Sequence, residues 1–235
     1  MDVQTYRGYL ETPWAQLFYD LLFEQLKEVK GKKILDVGAG FCKTAAFLAS
    51  DNDVTALEPN PAILALVDSS PAYQLLEGSL EVLNSLPAEN FDLIVCHNVL
   101  EYIAPAERPA YVQEFRRLLR SSGQLSLVKH HEVGRILQTV VFENDCEKAQ
   151  ALLAGQTYQS ATMGTCQVYP LSEVFGQDWQ LEDYQGLRIF YGLQANDVKE
   201  DPSWRNKMKT MELTVCKQSP YRDIAAFQHL WLRKR

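Results

Sequence analysis

A short apolar run that closes on an acid and two glycines constrains this chain more than any other stretch. In Lys33–Cys42 the apolar residues Ile34, Leu35 and Val37 flank Asp36 and lead at once into Gly38-Ala39-Gly40. A run bounded in this way predicts a buried strand that turns sharply into a helix. Glycines two residues apart permit left-handed backbone and let a ligand approach with no Cβ in the way. The helix expected at roughly Lys43–Ser50 turns its N-terminus and its free N–H groups toward that turn. Such a turn suits a nucleotide-like ligand. For Gly38 and Gly40 taken alone, an ordinary strand–helix turn is the competing reading.

Two acids narrow the choice of ligand. A dinucleotide site asks for a third glycine three residues after the second, and here Gly40 is followed by Phe41, Cys42 and Lys43. That disfavours an NAD(P) oxidoreductase. Asp36 would repel a pyrophosphate but welcome an ammonium or sulfonium. Glu58 closes the next apolar run, Val54–Leu57, and falls 20 residues after Gly38, a spacing that suits a carboxylate gripping ribose hydroxyls at the end of a neighbouring parallel strand. Together Asp36, Gly38, Gly40 and Glu58 resemble the S-adenosylmethionine (SAM) site of class I methyltransferases, whose first motif is an acid followed by x-Gly-x-Gly. The resemblance implies SAM as the cofactor. It implies a cofactor site drawn from Asp36, Gly38, Ala39, Gly40, Glu58, Pro59, Gly78, Ser79, Leu80, His97 and Asn98.

The rest of the chain supports that architecture. Trp14, Leu17, Phe18, Leu21, Leu22, Leu26 and Val29 recur at helical spacing, so residues 1–30 read as a helix with one broad apolar face, and Tyr9–Trp14 as a lid over the cofactor. Ala62–Val67 reads as a helix, Tyr73–Glu77 as a third strand, Phe91–Cys96 as a fourth, Pro105–Arg120 as a helix ended by Ser121-Ser122-Gly123, and Gln124–Lys129 as a fifth strand. Strands alternating with helices over short connectors predict a parallel sheet covered on both faces. Ligands bind such sheets at the carboxyl ends of the strands, where Asp36, Glu58, Gly78 and His97 all fall. Beyond His130 the pattern loosens. Ile136–Phe142 and Cys146–Leu153 read as helices, Gly155–Gln167 as a polar loop and Leu171–Phe175 as a short helix. Trp179–Leu187 and Ala225–Leu232 read as the last strands, Trp204–Cys216 as a helix between them, and Arg233-Lys234-Arg235 as a solvated tail.

The expected fold is therefore α/β: a Rossmann-like, seven-stranded, mostly parallel sheet with helices on both faces, an N-terminal helix and a small insertion after the fifth strand. The 235 residues read as a single methyltransferase domain. Within it, residues 1–31 form a helical lid, 32–130 the SAM-binding core, 131–170 a cap insertion on the substrate side and 171–235 the C-terminal part of the sheet. The net charge of −7 offers no basic stripe for nucleic acid. Five widely spaced cysteines without a C-x-x-C read as free thiols in a reducing cytoplasm, with no metal site. No run is long and apolar enough for a membrane span, and Met1-Asp2 opens no signal peptide.

A narrower likeness rests on His97-x-Val99-Leu100-Glu101 with a following aromatic, on Gly186-x-Arg188-x-Phe190, and on Glu212-Leu213 with Cys216-x-Gln218-x-Pro220-Tyr221. These resemble the bacterial tRNA 5-carboxymethoxyuridine methyltransferase and its relatives. The resemblance implies methylation of a carboxylate on a modified tRNA base. The sequence departs from that pattern at Phe18, where the family has an arginine, at His130-His131, where it has tyrosine-asparagine, and between Gly155 and Pro170, which holds no Lys or Arg.

The expected reaction is methyl transfer to an oxygen or nitrogen nucleophile of a small molecule or a modified tRNA base. His97 is the candidate catalytic residue, with packing against the cofactor as its alternative role. Tyr9, His130, His131 and Arg188 are candidate substrate contacts. Arg188 would bind an acidic group or pair with a carboxylate such as Glu101. A non-catalytic SAM- or nucleotide-binding module of the same fold is the competing function. The methyl acceptor is the expected partner, and the oligomeric state stays open.

Overall fold

The structure is a computed structural model that describes residues 2–67, 72–160 and 164–235. The N-terminal apolar stretch is two helices, α1 (Val3–Leu10) and α2 (Pro13–Leu26). Pro13 takes the first helical position, where its missing N–H costs nothing, and the chain is re-aimed just before it. Tyr9 thus lies inside α1. From there strand and helix alternate: β1 (Lys33–Val37), α3 (Lys43–Leu48), β2 (Asp53–Glu58), α4 (Pro61–Leu64), β3 (Gln74–Glu77), α5 (Leu80–Ser85), β4 (Phe91–His97), α6 (Arg108–Leu118) and β5 (Leu119–His130).

A seven-stranded sheet runs in the order β3-β2-β1-β4-β5-β9-β8, where β8 is Trp179–Leu187 and β9 is Phe227–Lys234. The strands β1 to β5 pair in parallel. Their apolar residues are buried, among them Ile34, Leu35, Val54, Leu57, Ile94, Val95, Leu125 and Leu127. Near-continuous apolar strands are what a parallel sheet covered on both faces requires. Strand order reverses between β1 and β4, the position where open α/β sheets leave a crevice at their carboxyl ends.

β5 begins earlier than the Ser121-Ser122-Gly123 stop implies. Phe91 pairs with Leu119 and Leu93 with Gln124, so the register shifts between them. A bulge of this kind lets polar residues bow out without ending the strand.

After β5 come α7 (Glu132–Leu137), a π-helical turn at Gln138–Phe142, and α8 (Cys146–Leu153). The polar stretch from Gly155 to Gln167 carries two short antiparallel strands, β6 (Tyr158–Ser160) and β7 (Gly164–Cys166). Strands of three residues are too short to show alternation. Residues 161–163 of that stretch lie outside the described residues. α9 (Leu171–Val174) precedes β8; α10 (Asn196–Lys199) and α11 (Pro202–Val215) separate β8 from β9. α11 starts where Asp201 accepts the N–H of Ser203 at 2.8 Å, an N-cap followed by proline.

The C-terminal tail is a correction to its reading as solvated. Arg233 and Lys234 belong to β9; Arg233 pairs with Glu182 and donates to the Ser122 carbonyl at 2.8 Å, and Lys234 donates to the Arg116 carbonyl at 3.2 Å.

The chain divides into two compact units. One comprises Met1–Glu24, Lys129–Val168 and Tyr184–His229; the other Gln25–Val128, Tyr169–Asp183 and Leu230–Arg235. They are called unit 1 and unit 2 below. Among the described residues no helix is long and apolar enough to cross a membrane.

Candidate active site

Strand parity gathers the acids and the histidine of unit 2. Asp36 lies opposite Ala56 of β2 and Val95 of β4. Partners across a parallel ladder share a face, and every second residue returns to it. Glu58 follows Ala56 by two and His97 follows Val95 by two, so Asp36, Glu58 and His97 project from the same face. Ser126, opposite Val95, joins them, and its Oγ lies 2.9 Å from His97 Nε2.

The glycine turn is built around Glu58. Gly38 and Ala39 donate to the Leu57 carbonyl at 2.8 and 3.0 Å. Glu58 Oε2 accepts the Gly40 N–H at 2.8 Å, and Oε1 accepts the Asn60 N–H at 2.9 Å. Gly38 has φ +70°, and a Cβ there would stand 2.5 Å from Val99 Cγ2. Only glycine meets both conditions. Pro59 lies in the link to α4, whose N-cap Asn60 accepts the Ala62 N–H at 3.0 Å.

Asp36 is 3% exposed. The Ala45 N–H, in the first turn of α3, bonds its carboxylate, while the N-cap Cys42 supplies no side-chain bond there. Asp36 thus caps α3 from a neighbouring strand, satisfying an otherwise orphaned N–H. Its Oδ2 has no hydrogen-bond partner among the described residues. Burial, opposed by the Ala45 N–H and reinforced by the charge of Glu58, pushes the Asp36 carboxyl up to about 7. Burial also raises Glu58, against the N–H groups of Asn60 and Gly40. A buried carboxylate oxygen without a donor is a costly thing to keep. A cationic ligand group meets that need.

At the end of β3, Gly78 donates to the Glu58 carbonyl at 3.1 Å. The Ser79 N–H donates to Glu81 Oε1 at 2.7 Å, and the Ser79 hydroxyl bonds the Tyr111 hydroxyl. Leu80 opens α5. Past β4, Asn98 takes φ +55° and its Oδ1 lacks a partner among the described residues. Thus Asp36, Gly38, Ala39, Gly40, Glu58, Pro59, Gly78, Ser79, Leu80, His97 and Asn98 all belong to unit 2. The thiols of Cys42 and Cys96 stay protonated, since burial pushes the first up to about 11 and the second well above its ordinary value.

Tyr9, His130, His131 and Arg188 belong to unit 1. The His130 ring lies 4.7 Å from that of Phe227. Burial, with the charges of Arg188, Lys129 and Arg135, lowers His130 to about 3, so it stays neutral. His131 Nδ1 lies 3.1 Å from the Ala225 carbonyl oxygen. Arg188 has φ +58° and makes no ion pair among the described residues.

Sequence reasoning passed over Ser126 and Tyr111, which hold His97 and Ser79. Ser126 had a signal: a lone hydroxyl inside the buried run Leu125–Val128. Tyr111 had none, because its spacing on α6 is that of an ordinary apolar stripe.

Residues 35–127 match the family described as a methyltransferase domain. A TehB-like SAM-dependent methyltransferase from Corynebacterium glutamicum superposes with a TM-score of 0.57 at 17% identity, over 99% of this chain and 95% of that one. The fold is that of the class I methyltransferases. A SAM-dependent methyltransferase described as putative, from Listeria monocytogenes, gives a TM-score of 0.58 at 13% identity over 95% and 97% of the two chains. The 1,6-didemethyltoxoflavin-N1-methyltransferase of Burkholderia thailandensis, solved with 1,6-didemethyltoxoflavin and S-adenosylhomocysteine, gives 0.54 at 15% identity over 95% and 79%. No curated relative matches the chain. The methyltransferase-domain match indicates SAM as the cofactor, and the unpartnered Asp36 oxygen and the Cβ-free turn at Gly38 fit such a ligand.

Proposed function

We propose that this chain is a SAM-dependent methyltransferase that transfers a methyl group to an oxygen or nitrogen nucleophile of a small molecule or a modified tRNA base. The observation that carries the proposal is the pairing of Asp36 and Glu58 on one face at the switch point, with Gly40 bonded to Glu58. Asp36 receives the ammonium of the cofactor, because its Oδ2 has no hydrogen-bond donor among the described residues. Glu58 keeps unused lone pairs beyond its two N–H bonds and accepts from the ribose hydroxyls. Gly78, Ser79 and Leu80 border the adenine, with Ser79 held by Tyr111. Bound there, SAM supplies an electrophilic methyl group on a sulfonium.

The residues of the chain then have to align the nucleophile and exclude water, an effect worth up to roughly 7–11 kcal/mol. His97, held by Ser126, stands at the end of β4 to orient the acceptor, and takes its proton where the nucleophile starts protonated. A small-molecule acceptor is favoured over tRNA. Affinity for tRNA draws on Lys and Arg contacts to phosphate, and residues 155–170 supply none within a chain of net charge −7.

Calorimetric titration with SAM and S-adenosylhomocysteine tests the cofactor; absence of heat at high micromolar ligand removes the proposal. Incubation with methyl-labelled SAM and fractionated cell extract tests turnover. Label in a small-molecule fraction supports the reading, label in tRNA moves the acceptor, and no label with intact binding leaves a non-catalytic module.

A further inference from the structure

Within unit 1, cations collect around one buried phenol. Tyr191 is fully buried, and its hydroxyl has no hydrogen-bond partner among the described residues. The Arg188 guanidinium carbon lies 5.7 Å from the centroid of its ring, and Lys199 Nζ lies 5.2 Å from the same centroid. Both side chains are buried, at 8% and 4% exposure. Arg188 Nε has no partner among the described residues. Lys199 donates to Asn196 Oδ1 at 3.0 Å, which uses one of the three N–H donors an ammonium carries.

Among the described residues, the acids of the unit answer these charges only in part. Glu212 acts on Arg188 while it also accepts the N–H groups of Ile189, Phe190 and Tyr191 at 2.6, 2.8 and 2.8 Å, and its single charge faces two buried cations. Arg205 adds positive field at the Tyr191 hydroxyl, with the charge of Glu200 opposing it. Aromatic faces of Phe227 and Phe142 lie against Arg188 and Lys199; they soften the burial without occupying a single N–H. Burial and the nearby Arg188 charge lower Lys199 to about 8, the response expected of two like charges held together. Arg188 also carries left-handed backbone at φ +58°, strain that a fold keeps where a function needs the residue aimed. Buried charges without a counter-charge are unfavourable, and a ligand that brings the missing charge removes the cost.

We propose that Arg188, Lys199 and the Tyr191 hydroxyl form a binding site for the compact oxyanion group, carboxylate or phosphate, of a small-molecule ligand. That this ligand is the methyl acceptor rests on the methyltransferase reading above; binding at the site does not.

The test titrates the full-length protein, without SAM, with sodium acetate and with inorganic phosphate, against sodium chloride at matched ionic strength. Melting temperature and heat of binding are the readouts. One or both anions raise the melting temperature saturably and chloride does not; which of them acts distinguishes a carboxylate from a phosphate site. Arg188→Met and Lys199→Met each weaken that anion's binding about tenfold or more, the loss of one charge-assisted hydrogen bond. The ligand-free melting temperature of Lys199→Met matches or exceeds the wild type, because that change removes a buried like charge beside Arg188. Arg188→Lys with Lys199→Met decides the matter if Arg188→Met does not fold. No saturable response to either anion overturns the proposal, as does a response that both variants retain. SAM titration of the same proteins reports on the cofactor site separately, so failure here is distinguishable from failure of the methyltransferase reading.

Discussion

Glu58 holds Gly40 through a 2.8 Å hydrogen bond from the glycine N–H to Oε2. The acid closing β2 is thus also the peg on which the glycine turn after β1 hangs. A ligand that meets Glu58 meets a turn already set in place, which lowers the ordering cost of binding.

Glu58→Ala removes the ribose acceptor and releases the Gly40 and Asn60 N–H groups together. SAM affinity falls about 10- to 100-fold, the equivalent of about 1.5–3 kcal/mol for a bond to a charged group, as read by calorimetry. Unchanged affinity would place Glu58 in a purely structural role.

Gly38→Ala is destabilising by about 1–3 kcal/mol, from left-handed backbone at φ +70° and the contact with Val99. Urea denaturation of Gly38→Ala, Val99→Ala and the double variant separates the terms. The double variant recovers the steric part and retains the backbone part. Full additivity of the two single losses contradicts the contact.

The Asp36 carboxyl sits at about 7 in the fold and at 3.8 without it. Between those values the native state keeps a proton that the unfolded chain has released, so Asp36 makes stability fall as pH rises from about 4 to about 7 and then level off. The effect is of the order of a few kcal/mol. The raised Glu58 acts in the same sense at the acidic end. His130, lowered to about 3, acts oppositely: below 6.5 its contribution is lost as pH falls. Comparing wild type with Asp36→Asn by urea denaturation at pH 5 and pH 8 isolates Asp36, and the variant loses relatively less stability on going to pH 8. Ionised Asp36 is the form that receives a cation, so SAM binding tightens from pH 6 to pH 8 in the wild type, and Asp36→Asn loses that dependence. Equal pH dependence in the two proteins would count against the assignment.

Glu212 accepts the N–H groups of Ile189, Phe190 and Tyr191 within unit 1. Glu212→Ala leaves these donors without an acceptor and costs about 3–5 kcal/mol, a large share of a marginal fold's stability. Glu212→Gln keeps one acceptor oxygen and loses less. Chemical denaturation of both variants checks the order, which reverses if bulk rather than hydrogen bonding is what the site needs.

The sheet and the strand ends that carry Asp36, Glu58 and His97 were legible because each rests on a local pattern. Apolar runs with β2 and β4 parity fix where Asp36, Glu58 and His97 emerge, and strand–helix alternation gives the seven-stranded α/β fold. What escaped notice depends on partners far along the chain. The Tyr191 cluster takes residues from the π-helical turn, α10 and the stretch just after β8, and no periodicity links these. Arg233 and Lys234 look like a tail because their apolar neighbours run out, yet Glu182 and the backbone of residues 116–122 supply polar partners that a composition-based reading cannot see. The break between α1 and α2 falls just before Pro13, inside a stretch whose apolar spacing alone reads as one helix.

Gly134 in α7 leaves no room for a methyl group: a Cβ there would lie 2.0 Å from the Ala225 carbonyl oxygen. The His131 N–H, one residue before α7, donates to the Ala226 carbonyl at 3.0 Å. The inserted segment is therefore moored at its root, backbone against backbone, and cannot swing about that point as a hinged flap would. Whatever freedom the segment has resides farther out, in the π-helical turn and beyond it, where Val140, Val141 and Leu153 are exposed.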